Sequence, residues 1–230
     1  GGSVQLDRIQ AFSNYVGIVA GEGSSVSHCT ADLNKSTGIE VKSGSVISDC
    51  TASRNSGIGI NVMYGVAISA CSAFNNSSNG ISAGGGNTIS DCSAYENSGN
   101  GIVAANRNRI SDCSACLNSG DGISIDSSSY LANNTCTDNG FNGDGAGIHV
   151  IYGNNRIDSN YAYGNDRGVD VDTPNNLIIR NSAYGNTLDY SIVASNKVGV
   201  VVIAPQSDAI VGSSGGAGVG TTDPWANISF

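Results

Sequence analysis

The chain has almost no proline, little charge and no long apolar run, and each shortage removes a class of structure. Only 3 of its 230 residues are Pro, so hydrogen-bonded ladders can run with little interruption, because Pro takes an N–H out of any ladder it enters. No stretch of about 18 consecutive apolar residues exists, so no helical membrane span is expected. No segment keeps the i, i+3, i+4 apolar spacing of an amphipathic helix for long. Basic residues number 10 against 19 acidic ones, for a net charge of −9. The sequence shows no basic stripe, which argues against nucleic acid and anionic membrane surfaces as partners. The first residues lack a basic segment followed by an apolar one, as expected of a mature chain or an excised fragment.

What the chain does have is a period. Cys29, Cys50, Cys71, Cys92 and Cys113 are 21 residues apart, and so are Asn34, Asn55, Asn76, Asn97, Asn118 and Asn139. Equal steps in two residue types mark a structural unit stacked on copies of itself. Each unit reads Gly-Ile-x-Val, a polar bend, Ile-x-x-Cys-x-Ala-x-x-Asn and a turn. Three apolar columns follow, one through Ile39, Ile60 and Ile81, one through Ile47, Ile68 and Ile89, and one through Ala52, Ala73 and Ala94. Apolar and polar positions alternate within each unit, which is the period of a strand.

Strands this short cannot bury a face alone and must pair with the next unit, at about 4.8 Å per step. The predicted fold is therefore all-β: a right-handed parallel β-helix of about nine 21-residue coils, its hand following from the preferred crossover. The 32 Gly residues suit its turns. The expected division is a β-helix over 1–203 and a Gly-rich capping segment over 204–230. Within the latter, Trp225, Ile228 and Phe230 would form a hydrophobic lid on the last coil. The other end starts inside a coil with no visible cap, and unlike ends of this kind could meet head to tail.

Five of the seven cysteines fall in one inward column, so they are expected to be small, buried, reduced core residues. Cys113-Ser114-Ala115-Cys116 has the CxxC spacing of redox and zinc motifs, but lacks a second ligand pair, and the chain has only two histidines, His28 and His149. The Asn column is read as structural, each amide bonding to the coil beside it.

Charge is where the repeat becomes uneven. Asp121 to Asp189 contains nine Asp against Arg156, Arg167 and Arg180. By alternation, Ser124, His149 and Asp170 form one outward column, with Asp126, Ile151 and Asp172 beside it. A four-residue insertion at Phe141-Asn142-Gly143-Asp144 falls just before His149. Asp126, His149, Asp170 and Asp172 are the candidate catalytic residues, an acid pair among them suiting glycoside hydrolysis. A Ser-His-Asp triad is disfavoured, since parallel side chains on a flat sheet offer no oxyanion hole. Asp138, Asp144 and Asp166 are the candidate ligands for Ca²⁺, a hard cation that takes clustered oxygens.

The Gly-Ile-x-Val and Ile-x-x-Cys-x-Ala columns and the Asn column make residues 4 to 203 resemble the pectate-lyase-like superfamily of right-handed parallel β-helix proteins. The tail ending Trp225-Ala226-Asn227-Ile228-Ser229-Phe230 is similar to bacterial secreted members of that group. The resemblance implies the fold, and a range of activities from polysaccharide lyases, hydrolases and epimerases to adhesins and structural rods. Loop-poor coils favour a secreted or surface-exposed structural or binding scaffold, with itself, end to end, or an extracellular polysaccharide as partner. The alternative is a polysaccharide hydrolase or lyase working on the acidic face.

Overall fold

The computed structural model describes residues 2–140, 143, 145–203 and 223–229. Every regular element among them is a strand, and nearly all are three residues long. Length follows from the sequence, because a buried–outward–buried triplet such as Ile39–Val41 is followed at once by a bend. One coil runs Ile39–Val41, Val46–Ser48, Thr51–Ser53 and returns to Ile60–Val62. Like strands stack in parallel into three sheets, here called sheets 1, 2 and 3 in the order the coil visits them. The register is the one the period dictates: Ile39 pairs with Ile60, Ile47 with Ile68 and Ala52 with Ala73.

The corner between sheets 2 and 3 is turned by one residue in the left-handed region, such as Asp49 at φ 54° and Ala70 at φ 49°. Inside it stands the cysteine column. All seven cysteines are free thiols, and all but Cys116 are buried. The Cys50 thiol and burial together push Cys71 up to about 12, so that thiol stays protonated, and the buried column serves as core. The five thiols of the column make weak hydrogen bonds, as in the 3.1 Å contact from Cys92 Sγ to the Ser90 carbonyl.

The Asn column is a continuous buried ladder. Asn97 Nδ2 donates to Asn118 Oδ1 at 3.0 Å and to the Ala73 carbonyl at 3.0 Å, while the Asn97 N–H donates to the same Oδ1 at 3.1 Å. The invariant Gly of each unit lies against this ladder. A Cβ on Gly101 would come within 2.6 Å of the Gly122 carbonyl oxygen and 2.7 Å of Asn118 Nδ2, so the close approach admits no side chain.

A second ladder begins where the cysteines stop. Cys113 N–H donates to Asn134 Oδ1, and the column continues through Asn160, Asn181 and Asn227. Asn227 belongs to the tail. Its strand, Asn227–Ser229, is inserted in sheet 3 between Ser182–Tyr184 and Val201–Ile203. The described part of the tail thus adds a strand to sheet 3. Trp225 is half exposed and stacks on the Arg180 guanidinium at 5.1 Å, and Ile228 is half-buried. Phe230 lies outside the described residues.

Candidate functional site

The candidate site lies on sheet 1, in the strands Ala146–Val150 and Arg167–Val171. These have five residues each, longer than those of earlier coils, and follow the insertion. Ser124, His149 and Asp170 do form one column, in register across three strands. Their exposure differs from the sequence expectation. Ser124 and Asp170 are buried, at 3% each.

His149 is the hub. Its Nδ1 is 3.0 Å from Asp121 Oδ2 and its Nε2 is 3.0 Å from Asp172 Oδ2. The Asp121 hydrogen bond, reinforced by Asp172 and opposed by burial, raises its pKa to about 9. At neutral pH the ring is therefore an imidazolium that donates from both nitrogens. Asp170 is bonded to the Arg167 guanidinium. Asp121 is fixed in turn: its Oδ1 accepts from the Ala146 N–H at 2.8 Å, and its own N–H donates to Asn100 Oδ1 at 2.8 Å. The result is a charge network in which each buried group has an opposite partner.

Asp121 was not among the sequence candidates, because alternation ranks residues within a strand and Asp121 stands on the turn before one. A signal for it exists, since Asn79, Asn100 and Asp121 are themselves 21 apart and form a short outer ladder. Asp126 shares a column with Asp172, and its carbonyl accepts from Asn155 Nδ2, but the network runs through Asp121 in its place. Asp138 sits at a left-handed corner, φ 53°, with its N–H on the Tyr163 carbonyl. Asp166 lies just after the Asn ladder, its carbonyl accepting from Leu188. Asp144 lies outside the described residues.

Among the described residues, the group able to offer three ligand atoms within 4.8 Å is His149, Asp170 and Asp172. It suits a cation poorly. The imidazolium has no lone pair to give, Arg167 already holds Asp170, and Asp172, the one exposed member, is engaged by His149.

Residues 16–156 and 82–223 match the family model described as the right-handed beta helix region. No curated protein matches the sequence significantly. Similar solved structures include pectate lyase Pel9A, 18% identical with a TM-score of 0.67 over 85% of this chain and 63% of that one. The periplasmic alginate epimerase AlgG is 15% identical, with a TM-score of 0.62 over 84% of this chain and 48% of that one. The A-module of the Azotobacter vinelandii mannuronan C-5 epimerase AlgE6 is 15% identical, with a TM-score of 0.54 over 84% and 55%. The chain thus spans about half to under two thirds of these structures, and at such identities the likeness is one of fold.

Proposed function

The chain belongs to the family of right-handed β-helix proteins, and from that premise we propose that it is a scaffold outside the cytoplasm that binds polysaccharide without cleaving it. One observation carries this reading: the His149 network is closed. Lyase and epimerase chemistry needs a base to take a proton from a sugar carbon, whereas both nitrogens of His149 are engaged by Asp121 and Asp172, which hold its pKa up at about 9. Glycoside hydrolysis needs one protonated carboxyl and one available carboxylate, whereas Asp170 is buried against Arg167. Short turns add little wall for a cleft. Polysaccharide as the ligand rests on the fold neighbours, a pectate lyase and an alginate epimerase.

The second reading, a polysaccharide hydrolase or lyase using Asp126, His149, Asp170 and Asp172, is favoured by the convergence of three of those four side chains. A glycan array run beside a polysaccharide-cleavage screen separates the two. Both are performed with and without calcium, the ion Asp138, Asp144 and Asp166 would hold. Retention on one or more glycans with no shortening of any polysaccharide is the expected result. Turnover that disappears in Asp172→Asn would replace the scaffold with the enzyme.

A further inference from the structure

The register of sheet 2 assembles a feature that the linear sequence conceals. Arg109, Tyr130, Arg156, Leu177 and Lys197 are successive partners in one outward column. Cations occupy alternate coils, with an aromatic or aliphatic side chain between them. The Arg109 and Arg156 guanidiniums lie 5.3 and 5.8 Å from the Tyr130 ring centre, one on each side. Between Arg156 and Lys197 is an open pocket of about 530 Å³, lined also by Asn154, Asn175, Leu177 and Ser195.

The strip is basic in an acidic protein. Its five strands, Arg109–Ser111, Tyr130–Ala132, Arg156–Asp158, Leu177–Ile179 and Lys197–Val198, contain one acid, Asp158. That carboxylate is buried and is shared by Arg156 and Arg180. Burial opposes its ionisation, but the Arg180 and Arg156 guanidiniums and the Ser159 hydroxyl outweigh it and keep its pKa below the usual value. Two arginines on one acid leave positive charge over, whereas sheet 1 carries Asp170, and Asp126 and Asp172 stand just after its strands.

We propose that this face of sheet 2 binds an acidic polysaccharide that carries its charge on every second sugar and lies along the helix axis. Alternate coils place the cations about 9–10 Å apart, close to the span of two 1,4-linked pyranoses. The intervening Tyr130 and Leu177 then meet the uncharged sugars. A nucleic-acid strand has a phosphate on every unit and would leave many of its charges unmatched. The inference deepens the binding reading above and depends on it.

Fluorescence anisotropy with labelled hyaluronan oligosaccharides, whose carboxylates fall on every second sugar, tests it, with dextran and oligo(dT) as comparison probes. Binding is expected at low salt and should weaken as salt rises. The double variant Arg109→Ala/Lys197→Ala, which spares the Asp158 pairs, should weaken it at least tenfold. Arg8→Ala/Lys35→Ala removes the same charge far from the strip and should leave it unchanged. Equal losses in the two double variants, no hyaluronan binding by the wild type, or equally tight binding of oligo(dT) would each overturn the inference. If hyaluronan fails while the glycan array finds a ligand insensitive to Arg109→Ala/Lys197→Ala, the strip falls and the scaffold reading stands.

Discussion

His149 shows how one residue can be held by three coils at once, since Asp121, His149 and Asp172 come from successive turns of the helix. Its pKa rises from 6.5 to about 9 on folding, so the folded state binds its proton more tightly. That contribution is fully present below about pH 6.5 and is lost as pH rises through 9. Thermal unfolding from pH 6 to 10 should show stability falling by on the order of 2 kcal/mol, and His149→Gln should flatten the profile. An unchanged slope in the variant would mean that the network contributes nothing. Gly101 makes the opposite kind of claim, one about volume. Gly101→Ala would drive a methyl group into the Gly122 carbonyl and the Asn118 amide and should cost about 1–3 kcal/mol in urea unfolding. The sequence made the His149–Asp170 column legible, because strand period fixes which residues share a face. It left Asp121 unassigned as a partner, because a side chain reaching in from a turn obeys no strand period. Asp170 reads as outward in the sequence and is buried in the fold, bonded to Arg167 of its own strand.

At the scale of the element, the strand Asn227–Ser229 enters sheet 3 from far along the chain and is registered by one side chain. Asn227 Oδ1 accepts from the Asn181 N–H at 2.9 Å and from its Nδ2 at 3.1 Å, and Asn227 Nδ2 donates to the Ile178 and Gly199 carbonyls. Asn227→Ala would leave buried donors and acceptors unmatched, at about 1–3 kcal/mol. Hydrogen exchange should then show protection lost at Val201–Ile203 and Asn227–Ser229 but kept at Ile81–Ala83; uniform protection across both regions would show that Asn227 does not hold the strand. The Cys and Asn columns were readable as equal steps of 21. Asn134 keeps the count, 21 residues after Cys113, and its step to Asn160, which spans 26 residues, is the first to break it. What persists physically is the duty at that corner, accepting a backbone N–H from the preceding coil, which a thiol does poorly and an amide does well.

For the whole molecule, among the described residues sheet 1 runs from Ile18–Ala20 to Leu188–Ile192 with no further strand paired beyond either. Unpaired edges are templates for further strands, and in the scaffold reading copies of the chain are expected to add end to end. Multi-angle light scattering should report a mass that grows with concentration; a fixed single-chain mass up to the highest soluble concentration would reject this. One feature of the rod bears on its history. The Asn ladder crosses from Asn139 to Asn165 at 3.0 Å, as closely as it crosses from Asn118 to Asn139 at 2.9 Å, although 26 residues rather than 21 separate the first pair. The spine therefore takes no notice of how much chain lies between its rungs. Such indifference makes the turn after Asn139 a natural graft point: lineages could lengthen it, or engineers could splice a foreign loop there, and vary the surface while the stacked frame is inherited intact.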